Sequence, residues 1–252
     1  MNQMKVSIVI PIYQNTLADF ELKSLKQCVN LLGDFEICII KPISLELEGP
    51  LSNPKFRVES FENFYFKGIS GYNKLLHALE FYQRFANSEY MLIYQLDAFV
   101  FKNDLQYWCD QEFDYIGAPW ISTPNTLFNR FLRLFDSKKK KERAQIFYKV
   151  GNGGLSLRKV STFIDVCEKF PEKINENLGR NTSDFRLMED VFWSIEVPKF
   201  YPNFRIPNYK EALNFAFDRK PQIALKLNKG KMPFGCHGFN KPKVIDFWKT
   251  YI

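Results

Sequence analysis

The sequence predicts an α/β fold built on a sheet covered on both faces, and three stretches carry that expectation. Lys5 to Tyr13 is a near-continuous apolar run of strand length, as suits a strand buried on both sides. Asp19 to Leu32 follows, with Phe20, Leu22, Leu25, Cys28, Val29 and Leu32 on one helical face, and Phe35 to Ile40 is a second strand, so the chain opens as a βαβ unit. Tyr90 to Tyr94 is a further strand-like run, ending on Gln95-Leu96-Asp97 before a second apolar run to Phe101. A carboxylate is costly to bury unless something pairs with it or binds it. An acid that ends a central strand falls where open α/β sheets bind ligands; the plainer alternative is an Asp that caps the next turn.

The elements read in order as follows. Pro11 is tolerated close to the end of the first strand, where no ladder donor is needed. Gly33 stops the first helix. Pro42 to Pro54 is loop, with Gly49-Pro50 and Asn53-Pro54 as punctuation. Phe56 to Phe61 is a short third strand. Gly68 and Gly71 stand before a helical pattern of Leu75, Leu76, Leu79, Phe81, Tyr82 and Phe85, with Ser70 as a candidate N-cap. That junction could receive a phosphate, although it is neither a Walker A loop nor a dinucleotide fingerprint, and a plain loop-to-helix junction explains it as well. Asn103 to Cys109 reads as a short helix, and Phe113 to Trp120 as a strand running into a turn. Thr123 to Leu134 reads as helix or loop. Lys138 to Arg143 is a solvated charge run, with contact to acidic lipid or phosphate as its second reading.

Gly151, Gly153 and Gly154 precede the alternating Leu155 to Arg158 and suit a wall of a cleft, or a glycine-rich hairpin. Val160 to Phe170 is a helix ending before Pro171, and Ile174 to Arg180 is another short element. Glu189 and Asp190 come just before an apolar stretch, with Ser183 or Asp184 as cap. Adjacent residues on a helix face different ways, so at most one acid points at a substrate; a solvated helix face is the alternative for the pair. Pro198 and Pro202 bracket an expected loop, and Arg219 to Lys231 is basic. Val244 to Tyr251 is a short aromatic helix or strand. Of the two histidines, His77 lies inside a helical pattern and suits a core role, whereas His237 stands between Gly235 and Gly238, open to a metal or phosphate.

Bulk properties narrow the choice of function. The chain has 252 residues, enough for a sizeable core. Its five cysteines are scattered and lack C-x-x-C spacing, which excludes a disulfide framework or zinc cluster and predicts reduced, buried thiols. The formal charge of +7 suits nucleic acid, an anionic membrane or phosphorylated substrates alike. No zinc finger, RNP-like strand pair or recognition helix is present, so nucleic acid is not expected as a partner. Aromatic residues make up 17% of the chain, which suits carbohydrate platforms or an aromatic core. Met1 to Val6 runs straight into an apolar segment too short for a signal sequence, and no apolar run reaches membrane-spanning length. A cytoplasmic protein is the expectation.

Val6 to Asn15, Ser70 to Asn73, Tyr94 to Phe101, Gly117 to Trp120, Gly151 to Arg158, Glu189 to Trp193 and Phe234 to Phe239, taken in order, resemble the GT-A superfamily of nucleotide-sugar-dependent glycosyltransferases. More narrowly, the chain resembles the family filed as domain of unknown function 5672. The resemblance implies one GT-A-like domain over residues 1–252, a three-layer α/β/α sandwich with a central, mostly parallel mixed sheet. About 1–120 would be its nucleotide-sugar half and about 121–252 its acceptor and catalytic half. It implies a nucleotide-sugar donor site at Pro11, Ile12, Tyr13, Tyr72, Asn73, Lys74, Gln95, Asp97, Gly153 and Gly154, with Asn152 beside the sugar. Asp97 and His237 would hold Mn²⁺ or Mg²⁺. The superfamily's D-x-D motif reads Gln95-Leu96-Asp97 here, so one acid is replaced by a neutral amide, which bears on metal dependence. Lys67, Lys74, Lys231 or Arg158 would supply further positive charge.

The Glu-Asp pair implies an inverting transfer with Asp190 as general base and Glu189 second, onto a glycan or lipid-linked saccharide. Peripheral contact with an anionic membrane at its inner face would fit that role. Two other classes share the plan: a catalytically altered sugar-nucleotide or glycan-binding protein, and a nucleotidyltransferase.

Overall fold

The computed structural model describes residues 5–123, 138–181 and 184–252. Its main sheet has six strands in the order β3-β2-β1-β4-β7-β6. These are β1 (Val6–Pro11), β2 (Glu36–Pro42), β3 (Arg57–Phe61), β4 (Tyr90–Tyr94), β6 (Tyr115–Gly117) and β7 (Leu155–Lys159), with β5 (Ala98–Val100) lying elsewhere. β1 pairs in parallel with both β2 and β4, and β2 pairs in parallel with β3. β7 runs antiparallel between β4 and β6. Helices α1 (Asp19–Leu32) and Val160–Lys169 are among those that pack on it, and the result is the expected three-layer sandwich with a mostly parallel mixed sheet. β4 is apolar and aromatic throughout and β1 is apolar except for the hydrogen-bonded Ser7, because both of their faces are covered.

The order of the sheet reverses between β1 and β4, and a crevice opens there at the carboxyl ends of both strands, as open α/β sheets require. A second sheet meets the first at this point. It consists of β5, β9 (Gly235–His237) and β8 (Ala216–Phe217), in the order β5-β9-β8. Gln95-Leu96-Asp97 is the hinge between β4 and β5. Gln95 N–H donates to Gly154 C=O on the β7 side (2.9 Å), and Gly238 N–H donates to Asp97 C=O on the β9 side (2.8 Å). Three stretches far apart in sequence are thereby drawn to one corner.

Several local readings change. The glycines do not precede the helix after β3 but lie within it: α2 is Gly68–Leu75, and Lys67 rather than Ser70 stands at its N-cap. The pattern through Phe85 is also not one helix, since α3 is Leu79–Gln83. His77 explains the break. Its Nδ1–H donates to the Asn73 carbonyl (2.6 Å), the acceptor that the next helical N–H would have used, and the Leu76 carbonyl accepts from Tyr82 Oη–H and Trp193 Nε1–H instead. His77 is buried, and burial pushes its pKa down to about 4, as befits a neutral core ring. The loop expected around Pro198 is helical: Glu189–Val191 runs through a π turn, Phe192–Glu196, into Val197–Phe200. The wide turn immediately precedes Pro198, which has no N–H to donate back along a regular helix. Pro221–Leu227 is helical within the basic stretch. Lys138–Arg143 is also a helix, with Lys141 to Arg143 exposed. The reading of Thr123 to Leu134 falls outside the described residues after Thr123, and so does that of Ser183. Asp184 does cap a turn, accepting from Arg186 N–H.

All five cysteines are buried and free. Among the described residues no helix is long and apolar enough to cross a membrane.

Candidate active site

The crevice at the ends of β1 and β4 is a cavity of about 700 Å³. Pro11, Ile12 and Tyr13 line it from β1, Tyr72 and Asn73 from α2, and Gln95, Asp97, Gly153, Gly154, Glu189 and Asp190 from the other side. The structure thus brings together almost every residue singled out in the sequence. Among the expected donor-site residues Lys74 stands apart: it is exposed in the last turn of α2 and does not line the cavity. Neither do Lys67, Lys231 or Arg158. Among the described residues four carboxylates line the space, those of Glu21, Asp97, Glu189 and Asp190, and no lysine or arginine does.

His237 enters at the cavity's edge from the end of β9. Its Nε2 lies 3.0 Å from Asp97 Oδ1 and 3.3 Å from Gln95 Oε1. Its Nδ1 faces Asp218 Oδ1 at 3.4 Å and the Asn152 amide at 3.0 Å. Burial opposes charge on the ring, but hydrogen bonding to Asp218 and Asp97 outweighs it and raises the pKa to about 9. Burial also opposes the charges of Asp97 and Asp218, and the facing His237 more than offsets it, so both carboxyls fall below their ordinary range.

Among the described residues no three His, Cys, Asp or Glu side chains are grouped to hold a metal by themselves. The geometry gives the reason: Asp97 and Asp218 face opposite nitrogens of the same ring and cannot both meet one ion. The set on the Nε2 side, Asp97 carboxylate, His237 imidazole and Gln95 amide oxygen, nevertheless suits a hard divalent cation. Ligands at about 2.1 Å from an octahedral ion stand roughly 3 Å apart, and His237 Nε2 has about that spacing from each of the two oxygens. Asp218 on Nδ1 is the carboxylate partner that metal-bound histidines use to fix ring orientation. The cradle has no spare room: a Cβ on Gly154 would overlap the His237 ring.

The two acids of the Glu-Asp pair have different surroundings. Glu189 is buried against Arg158, with Nη2 to Oε2 at 2.9 Å. Arg158 is itself fully buried, donates also to Tyr82 Oη and Ser156 Oγ, and packs over the Tyr115 and Phe163 rings. Burial pushes Glu189 up to about 7 against the opposing pull of Arg158. Arg158 is therefore a core cation with its own counter-ion and not a spare charge for substrate. Asn73 is committed as well: its Oδ1 accepts from Glu189 N–H and its Nδ2 contacts Met188 Sδ, so it seats the helix start. Asp190 remains. Its Oδ2 accepts from Asn152 N–H (3.2 Å) and its Oδ1 from Val191 N–H (2.9 Å). Burial raises its pKa despite these two bonds.

A second cavity, of about 600 Å³, lies beyond Asp190. Trp120, Phe147, Phe185, Met188 and Asp218 are among the residues that line it. Asp190 alone among the described residues lines both spaces.

Asp218 and Asn152 were the residues hardest to find. Asp218 ends the apolar run Phe215 to Phe217, much as Asp97 ends its strand, and that parallel was the available signal. Asn152 connects the site: at φ 72° in the left-handed region, its N–H donates to Asp190, its Oδ1 accepts from Gly154 N–H, and its side-chain amide lies 3.0 Å from His237 Nδ1. Asparagine tolerates that conformation better than most residues. The glycines around it make room for side chains. A Cβ on Gly153 would overlap the Glu189 carboxylate, and one on Gly151 the Trp120 ring.

A family model described as "Protein of unknown function (DUF5672)" matches residues 55–237. No curated protein sequence matches the chain. The fold is similar to that of a glycosyltransferase involved in glycosylation of the major capsid of PBCV-1, at 11% identity, with 92% of each chain covered and a TM-score of 0.50. It is also similar to the bifunctional glycosyltransferase WbbM, at 11% identity and a TM-score of 0.54, covering 96% of this chain and 47% of that one.

Proposed function

Since this chain belongs to the DUF5672 family and has a GT-A-like glycosyltransferase fold, we propose that it transfers a sugar from a nucleoside-diphosphate sugar to a hydroxyl of a glycan or lipid-linked saccharide. The larger cavity takes the donor and the smaller one the acceptor. The observation that carries this reading is the position of Asp190 as the one described residue common to both linings.

In the proposed inverting step the acceptor O–H gives its proton to Asp190 as its oxygen bonds to the anomeric carbon. The bond from that carbon to the diphosphate oxygen breaks, and the nucleoside diphosphate leaves with the electron pair. Asp190 suits the role because its carboxylate is fixed by two backbone N–H groups while burial keeps it basic. Glu189 instead anchors the helix through Arg158. Mn²⁺ or Mg²⁺ held by Asp97, His237 and the Gln95 amide would supply Lewis-acid stabilisation of the leaving diphosphate. The four carboxylates among the larger cavity's described lining residues outnumber the basic groups at its edge, His237 and Lys241, whose Nζ lies 3.8 Å from Asp97 Oδ2, so such an ion would lessen their repulsion of a diphosphate. The proposed setting is the cytoplasmic face of a membrane, where the exposed Lys141 would touch anionic lipid.

Calorimetric titration with UDP-, GDP-, CMP- and dTDP-sugars, each in EDTA, Mg²⁺ and Mn²⁺, tests the donor assignment. Asp190→Asn is expected to lower transfer by roughly 10²–10⁴-fold with donor affinity retained. Unchanged turnover removes Asp190 as base. Gln95, a neutral amide at a motif position usually acidic, favours one second reading: a binding protein that keeps the fold. Saturable donor binding with neither transfer nor donor hydrolysis would establish it.

A further inference from the structure

The two cavities differ in the sign of their walls. Among the described lining residues the larger has carboxylates and no lysine or arginine, with His237 and Lys241 only at its edge on Asp97, whereas the smaller has Arg143, Arg219 and Lys220. Its two acids do not cancel them. Asp218 faces the His237 ring at 3.4 Å, and Arg219 Nε reaches it only at 3.8 Å. Asp190 stands where the cavities meet and is bound by backbone N–H groups. Arg143 has no acidic partner among the described residues, and the Arg219 side chain is 74% exposed. Lys220 is held in the wall: its φ is 60°, its Nζ donates to Ile121 C=O (3.0 Å), and it lies 5.5 Å from the Phe147 ring centre. Backbone in the left-handed region costs a lysine about 1 kcal/mol or more, and such strain gathers at functional sites.

The wall also has an aromatic face. Trp120 is pinned through backbone bonds to Lys149 and Tyr148, and its ring lies against Gly151, where no side chain would fit. Trp120 and Phe147 offer apolar faces to a sugar ring, and the guanidinium groups offer paired donors to a carboxylate or phosphate. A neutral saccharide would offer those donors only hydroxyl oxygens, without the charge that strengthens the bond.

We propose that the acceptor is anionic, with a carboxylate or phosphate on or next to the accepting sugar, recognised by Arg143 and Arg219. This rests on assigning the smaller cavity to the acceptor. The test is binding by saturation-transfer NMR in EDTA, with no donor present. The probes are methyl β-glucuronide, α-glucosyl phosphate and the neutral methyl β-glucoside. At least one anionic probe is expected to bind roughly tenfold or more tightly than the neutral one, the scale of one charge-assisted hydrogen bond. That margin shrinks with added salt and disappears in the Arg143→Gln/Arg219→Gln double variant, whose two sites are exposed and whose melting temperature serves as a folding control. Preference for the glucuronide identifies an acidic sugar, and preference for the phosphate a phosphate-linked acceptor. Equal binding of charged and neutral probes, no binding of any probe, or a preference that survives the double substitution overturns the proposal. Because the readout is binding, it stands apart from the base assignment. A charge preference found alongside unchanged turnover in Asp190→Asn would keep the anionic acceptor and discard the base.

Discussion

Asp190 and Glu189 are neighbours in sequence with opposite employment, and the division comes from what each meets. Glu189 is tied to a buried guanidinium, whereas Asp190 has only backbone donors. A base must be ionised to accept a proton, so transfer is expected to rise with pH as Asp190 ionises. Burial raises its pKa, which places the midpoint of that acid limb above the ordinary aspartate value of about 3.9. A pH profile of kcat/KM checks this; a limb at or below the ordinary value would remove Asp190. Gly154 offers a second test at this scale. An alanine there would overlap the His237 ring and crowd Gln95 Oε1, at 2.8 Å. Gly154→Ala is expected to weaken Mn²⁺-linked donor binding about 10–100-fold, the usual cost of disturbing a ligand's support, and to lower the melting temperature through the same overlap. The end of an apolar run, flanking glycines and adjacent acids marked Asp97, His237 and Glu189-Asp190 in the sequence, and the resemblance supplied the roles expected of them. Sequence alone could not reveal Asp218 or the several bonds of Asn152, because each depends on a partner supplied by the fold.

The short helix that begins at Glu189 is held from below by the Arg158–Glu189 pair, with Asn73 on its first N–H. Breaking a buried pair is costly, and the two ways of breaking it are unequal. Glu189→Gln leaves a guanidinium that cannot give up its proton, an expected loss of about 3–5 kcal/mol. Arg158→Met leaves a carboxyl that can take a proton and should cost less. Glu189 there would have its folded pKa raised above the unfolded value, so the folded state binds the proton more tightly. The deficit of Arg158→Met therefore shrinks as pH falls and grows as pH rises. Chemical denaturation of both variants across pH decides the matter, and equal deficits at every pH would contradict it. The helix itself was hidden from the sequence by Pro198, which argued for a loop. The π turn before it accommodates the missing donor without ending the helix.

Across the whole molecule, the main sheet was readable because β1, β2 and β4 are long apolar runs separated by helical periodicity. The second sheet was not, since β5, β8 and β9 have only two or three residues each and so present no alternation to detect. Yet that sheet brings His237 opposite Ala98 and closes the corner around Asp97. The main sheet also ties the two halves of the chain together. β7 sits between β4 and β6 and pairs with both, so a chain ending at Trp120 would leave two buried strands without their shared neighbour. Such a fragment is expected to lack the cooperative unfolding transition of the full chain, as circular dichroism on heating would show.

Among the described residues the two cavities share one wall residue, Asp190, and otherwise have separate linings. On the proposed assignment, donor choice and acceptor choice are then modular traits. Substitutions around Trp120 and Arg219 can exchange one acceptor for another without rewriting the grip on the nucleotide, and substitutions around Tyr13 and Tyr72 can do the converse. A lineage that diversifies the glycans it builds could vary either compartment by itself, with the carboxylate between them as the fixed point.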